Sequence, residues 1–225
     1  MKILEKKKMP GGKRRWLLFG IPVLSYRKRQ SRMETVVGSG NAIVNRPEKC
    51  KVIVFGNRNR IVFPEICEGF VGTVQIGAAD FSANDCCVEI GEHIQANGLS
   101  IMVMEDGSKV EIGSDCLISS GVQFWASDTH AILDSANNVL NAGHGIDVGD
   151  HVWIGVNALV MKDVSIPDGC VIGGGSVVSG RIDMPPGSVV AGNPARVVKS
   201  GVLWSKSRPG ALLRNSVISG GSGSL

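Results

Sequence analysis

A side chain that takes a proton from a hydroxyl near neutral pH is most simply a histidine, because the imidazole titrates in that range. The chain has four: His93, His130, His144 and His151. His130 closes the segment Ser127-Asp128-Thr129-His130, where a regular sequence pattern gives way to a polar, turn-rich stretch. It is the leading candidate base, with a structural loop histidine as the alternative. His144 lies between glycines in the same stretch and is a candidate contact for an acceptor. His93 and His151 both fall at the fourth position of a six-residue repeat, where a solvated turn is expected. The spacing of His130, His144 and His151 lacks the close pair wanted for a three-histidine zinc site, so no metal is expected. Trp153, between Val152 and Ile154, and Trp125, between Phe124 and Ala126, alternate with inward-facing neighbours and must point outward from any strand that holds them. An outward indole offers an N–H donor and a flat apolar face to whatever covers it. Asn97 and Ser100 are further candidates for polarising an acceptor hydroxyl. None of the six cysteines sits where a nucleophile would, and Cys116 and Cys170 fall at small inward positions, so reduced packing thiols and direct transfer are expected.

What must position these residues is a repeat. Stepping by six from Val148 meets Ile154, Val160, Ile166, Ile172, Val178, Met184 and Val190. Four residues after each stand mostly small residues: Val152, Ala158, Val164, Cys170, Ser176, Ile182, Ser188 and Pro194. Large and small side chains alternating in this way point into a narrow core. A period of 18 overlies the first: Pro167 and Gly169 recur as Pro185 and Gly187, and Ile154-Gly155 as Ile172-Gly173. Three hexads therefore make one coil of a triangular prism, a solenoid in which each coil stacks on the last at about 4.8 Å. Gly38, Asn41 and Ile43 are echoed by Gly56, Asn59 and Ile61, so the solenoid begins near residue 36. Residues 64–111 keep only parts of the phase, such as Val88 and Ile94, and predict irregular coils. The stretch from His130 to Gly145 interrupts the hexads, which resume in phase at Val148, and reads as a loop projecting from the prism.

Composition agrees, with 30 glycines and 5% aromatic residues in 225. Charge is uneven. Residues 1–34 carry eleven Lys or Arg against two Glu, a net +9, which leaves −5 on the remainder of a chain whose total is +4. The body is therefore no nucleic-acid binder. Within the basic arm, Trp16 to Tyr26 form an apolar run too short, and too broken by Gly20 and Pro22, to span a bilayer. No small-residue cleavage site follows it, so the arm is expected to be cytoplasmic, either a peripheral anchor on an anionic inner leaflet or a cap on the first coil. The expected organisation is a basic arm over 1–35, the β-helix over 36–199 and a partly flexible C-terminal extension over 200–225.

Three stretches between residues 110 and 199 carry a family resemblance: Ser127-Asp128-Thr129-His130-Ala131-Ile132-Leu133-Asp134, Ile146-Asp147-Val148-Gly149-Asp150-His151-Val152-Trp153-Ile154-Gly155, and Ala191-Gly192-Asn193-Pro194-Ala195-Arg196-Val197-Val198-Lys199. In them the chain resembles the hexapeptide-repeat acyltransferases, above all the maltose and galactoside O-acetyltransferases and the bacterial capsule or sialic-acid O-acetyltransferases. The resemblance implies an all-β, left-handed parallel β-helix; periodicity alone does not give that hand. It implies homotrimers with the active site in the cleft between two prisms, and acetyl transfer from acetyl-CoA to a sugar or polysaccharide hydroxyl, with N-acetylation of an amino sugar as the alternative. It further implies His130 as base and Trp153 in the same cleft. Acetyl-CoA would lie against Val156, Gly174, Ser179 and Gly180, with its phosphates near Arg196 and Lys199. Relatives have Thr-Lys where this chain has Ser179-Gly180, and Arg181 is the candidate substitute for that lysine. Asn97, Trp125 and His144 are the candidate acceptor contacts.

Overall fold

The computed structural model describes residues 4–8, 13–18, 21–27, 33–67 and 69–212, the first three stretches as backbone. It divides into two compact units, Met1–Arg32 and Met33–Leu225.

The larger unit is a left-handed parallel β-helix, with the stacked coils that the repeat predicts and the hand that the resemblance implies. Its first face is a six-stranded parallel sheet, Ala42–Val44, Arg60–Val62, Cys87–Ile90, Lys109–Ile112, Gly145–Val148 and Val164–Ile166. The second face runs from Gln95 and Ala96 through Leu117–Ile118, Trp153–Ile154 and Val171–Ile172 to Val189–Gly192. The third begins with Glu34–Val37 and ends with Gln123–Trp125, Leu159–Met161 and Val177–Val178. Between faces the chain turns sharply at three edges, where one residue per turn commonly adopts a left-handed conformation. His93, Asp115, His151, Gly169 and Gly187 do so along the first edge, Gly121, Asn157 and Gly175 along the second, and Asp163 and Gly180 along the third.

The hexad residues Val148, Ile154, Val160, Ile166, Ile172, Val178, Met184 and Val190 are all buried in one continuous core. Stacked register explains this: Ile154 lies between Ile118 and Ile172, and Val160 between Phe124 and Val178. Each fully buried aliphatic side chain contributes roughly 1.5–3 kcal/mol. Of the small set, Pro194 departs from the pattern and is exposed, because the helix has ended: the chain turns through a cis Asn193-Pro194 bond into Ala195–Lys199, antiparallel to Val189–Gly192.

The irregular coils are coils with insertions. Val88 pairs with Ile61 and Val110, spacings of 27 and 22 in place of 18. Buried Asn59 restores one such corner, donating to Ala83 O and accepting from Cys86 N. The loop after Trp125 is longer still, yet Ile112 pairs with Val148 at a spacing of 36, twice the coil length. All six cysteines are free thiols, and burial pushes Cys116 up to about 11, out of the nucleophilic range.

The smaller unit is a three-stranded antiparallel sheet, Leu4–Lys8, Lys13–Leu18 and Ile21–Arg27, with Lys13–Leu18 in the middle. Phe19 and Gly20, at the centre of the apolar run, lie outside the described residues, as do 213–225 of the C-terminal extension. Among the described residues no helix is long and apolar enough to cross a membrane.

Candidate active site

His130 stands exposed on the third edge, where the chain leaves the third face and has yet to enter the first. Its backbone is gripped from both sides. Its N–H donates to Asp128 O at 2.7 Å, and its carbonyl accepts from Asn141 Nδ2 at 2.9 Å. The same amide donates to Asp128 Oδ2 at 2.8 Å, and Asn141 Oδ1 accepts from Ile132 N at 2.7 Å. Lys162, one coil further on, seals the base of the loop: its Nζ lies 2.7 Å from Asp128 Oδ2 and also donates to Asn141 O. Only 14% of the Lys162 side chain is exposed, so this ammonium is held largely out of water. The Lys162 hydrogen bond, helped by Asn141, keeps the Asp128 carboxyl below its ordinary range. Glu105 completes the frame, accepting from Ser127 Oγ at 2.8 Å and Gly143 N at 3.0 Å. The loop itself folds back through a Leu133–Val139 bridge and returns to His144, whose N–H donates to Asp163 Oδ1 at 2.7 Å. The ring of His130 is thus presented on a tethered backbone at the mouth of a built loop.

Trp153 is on the second face, its Cα paired with Leu117 and Val171, and 39% exposed as the alternation requires. The expectation of a solvated turn at His151 is corrected here. His151 is half-buried beneath Trp204, the two rings stacked at 4.1 Å with 13° between their planes. Trp204 belongs to the segment after the last hexad, which runs along the first edge. Val202 N donates to Gly187 O at 2.9 Å, Trp204 Nε1 to His151 O at 2.7 Å, and Lys206 Nζ to His93 O at 3.3 Å. Lys206 also meets Asp115 Oδ1 at 2.5 Å, while Asp115 Oδ2 meets His151 Nδ1 at 2.6 Å. Lys206 first and His151 second hold the Asp115 carboxyl below its ordinary range. His93 remains exposed, as expected.

The other candidates fall into two groups. Val156 and Gly174 share the second edge one coil apart: a Cβ added at Gly174 would meet Val156 Cγ1 at 3.2 Å. Asn97 lies at the same edge beside Gly98, exposed, with Ser100 following on the third face. Arg196 and Lys199 are exposed on the last strand, against the second face; among the described residues Arg196 donates to Ala195 O. Ser179 and Gly180 share the third edge with His130 and His144, one coil beyond Lys162. Trp125 points outward at the end of the third face, its Nε1 donating to Gln123 Oε1 at 3.0 Å. In a triangular coil the third edge lies opposite the second face. One chain therefore does not bring His130 and Trp153 together. Sequence reasoning missed Asp128, Asn141, Lys162 and Trp204 as supports. Asp115 and His151 at the same hexad position in successive coils were the available signal for the first-edge cluster. Among the described residues, no group of three or more His, Cys, Asp or Glu is placed to hold a metal ion.

No family model matches the chain. In sequence it is 31% identical over 117 residues to the polysialic acid O-acetyltransferase of Escherichia coli O1:K1, covering 52% of this chain and 38% of that one. It is 32% identical over 112 residues to the galactoside O-acetyltransferase of Escherichia coli K12, covering 50% and 53%. In structure it superposes on the polySia-specific acetyltransferase NeuO with a TM-score of 0.60 and 26% identity, over 81% of this chain and 92% of that one. The chain is thus similar, in sequence and in fold, to O-acetyltransferases of polysialic acid and galactosides. It spans about two fifths to half the length of the curated relatives it matches. The fold expected from the hexads is thereby matched over 81% of this chain.

Proposed function

We propose that the chain transfers the acetyl group of acetyl-CoA to a hydroxyl of a sugar or polysaccharide. The observation that carries this reading is the tethered His130 at the loop mouth of a fold that follows the polySia-specific enzyme over 92% of that chain's length. The acceptor hydroxyl gives its proton to an imidazole nitrogen of His130 as its oxygen attacks the thioester carbonyl carbon. The tetrahedral oxyanion collapses, the C–O bond remains, the C–S bond breaks, and the departing thiolate takes up a proton. The protein supplies orientation, a base and donors, and the co-substrate supplies the reactive group.

The proposed assembly is a homotrimer, and the placement of the two candidate residues supports a cleft shared between copies. The third edge with His130 and the second face with Trp153 are opposed in one coil, so a cleft holding both needs the third edge of one copy against the second face of another. In that cleft the Trp153 N–H, which has no hydrogen-bond partner among the described residues, would serve the acceptor or oxyanion. Val156, Gly174, Ser179 and Gly180 offer low-profile backbone for a pantetheine arm, and Arg196 and Lys199 are exposed cations for its phosphates. The chain would work in the cytoplasm, with the basic arm on the anionic inner leaflet beside lipid-linked glycans.

The test is direct. With acetyl-CoA and a panel containing polysialic acid, a galactoside and host-strain glycans, at least one acceptor should gain the mass of single acetyl groups. His130→Ala should lower kcat by about 10²–10⁴-fold while leaving trimer and coenzyme A affinity intact. Near-normal turnover in that variant would remove His130 from the reaction.

A further inference from the structure

Trp153 is flanked along its ladder by Leu117 and Val171, residues too short to fix the plane of an indole that rises above the sheet. What meets it from the side is Trp204, with ring centroids 6.0 Å apart and planes tilted by 44°. Trp204 is itself immobilised more thoroughly than packing alone requires. One face lies on the His151 ring, and its indole N–H is spent on His151 O. His151 Nε2 faces Trp204 O at 3.2 Å while Nδ1 faces Asp115 Oδ2 at 2.6 Å, so both ring nitrogens have a partner. Lys206 then locks Asp115 from its other oxygen. The strap thus crosses several coils along the first edge and delivers one indole to the border of the second face. Leu203, between the two anchors, is fully exposed, so the strap is not held by burial of every apolar side chain it carries. Its anchors are directional, and they converge on Trp204.

We propose that Trp204 is a positioning residue for Trp153, and that the strap of residues 201–207 forms a wall of the acceptor side of the cleft, taking the ring of a sugar beside the paired indoles. This rests on the reading that Trp153 lines that cleft. An aromatic wall suits a pyranose, whose C–H faces pack on indole. Holding Trp153 in one tilt orders its donor before the acceptor arrives, which lowers the cost of binding.

The experiment uses the full chain with Trp153→Phe, Trp204→Phe, Trp153→Ala, Trp204→Ala and His130→Ala. Two indoles this close couple optically, so the indole exciton couplet in the circular dichroism should vanish equally in Trp153→Phe and Trp204→Phe; a couplet that survives either change overturns the positioning claim without needing any acceptor. In acetyl transfer from acetyl-CoA to polysialic acid, Trp204→Ala should raise the acceptor KM by about tenfold, the scale of one aromatic pair, with kcat little changed and Trp204→Phe largely restored. Combining it with Trp153→Ala should add little to the single change. If Trp153→Ala impairs transfer and Trp204→Ala does not, the strap proposal is wrong and the proposed function stands. If neither matters while His130→Ala abolishes transfer, the cleft lies away from the second face and the strap proposal falls alone. If His130→Ala is also without effect, the proposed reaction fails.

Discussion

At the level of single residues, Lys162 carries the argument about His130. An ammonium with little access to water, shared between a carboxylate and a carbonyl, fixes the two chain segments that pinch His130 into place. Lys162→Met leaves Asp128 without its cation, and with His130 as the proposed base kcat should fall by up to about 10²-fold through misplacement of that residue. Lys162→Arg should keep more of it. Thermal melting in parallel separates this loss from unfolding, and an unchanged kcat in a folded Lys162→Met chain would show that the grip is irrelevant to catalysis. The same pair sets a pH window. The Asp128 carboxyl is held below its ordinary value, so its contribution is fully present above the unfolded pKa and disappears as pH falls through the folded one. Loop amides such as Ile132 should stay protected from hydrogen exchange through neutral and mildly acid solution and lose protection only below about pH 4. At the other cluster of candidates, Arg196→Ala should raise the KM for acetyl-CoA much more than it lowers kcat, since an exposed cation on a phosphate binds ground and transition states alike.

At the level of elements, most of the prism was legible because its signal is redundant. Eight hexads agree on one phase, and each misplacement would bury a polar residue. The stretch 64–111 was hard because insertions of nine and four residues change the coil length from 18 to 27 and 22, breaking the phase while keeping the register. His130 was legible for the opposite reason: it stands where the period fails. The strap was not legible, since Trp204 and Lys206 lie beyond the last hexad and nothing periodic points to them. Only the recurrence of His93, Asp115 and His151 at one turn position hinted that something covers that edge. Turn glycines matter where two coils nearly touch. Gly145 has φ +140°, and a Cβ there would sit 1.8 Å from Lys109 O, backbone that cannot step aside. Gly145→Ala should therefore lower stability by about 1–3 kcal/mol and loosen the exit of the loop, whereas Gly175→Ala, with open space around it, should cost only its left-handed backbone. Chemical denaturation of both variants compares them directly.

At the level of the whole molecule, charge is divided between two units that the chain keeps apart in sequence. In the smaller one, strand pairing sets Lys7 opposite Arg15, Lys8 opposite Arg14, and Lys13 opposite Arg27. Like charges directly across a sheet are destabilising. A small sheet of this kind gains most from a surface that neutralises it, and an anionic leaflet does so at about 1 kcal/mol for each Lys or Arg that reaches it. At the other end of the same pairing the register sets apolar residue types opposite one another, Leu4 with Leu18 and Trp16 with Leu24. The full chain should therefore pellet with anionic liposomes at low salt, be released as ionic strength rises, and ignore neutral liposomes, while a chain beginning at Thr35 stays in the supernatant and still melts cooperatively. If both stay in solution, or if removal of the arm unfolds the prism, the arm is a cap on the solenoid and the membrane proposal is wrong.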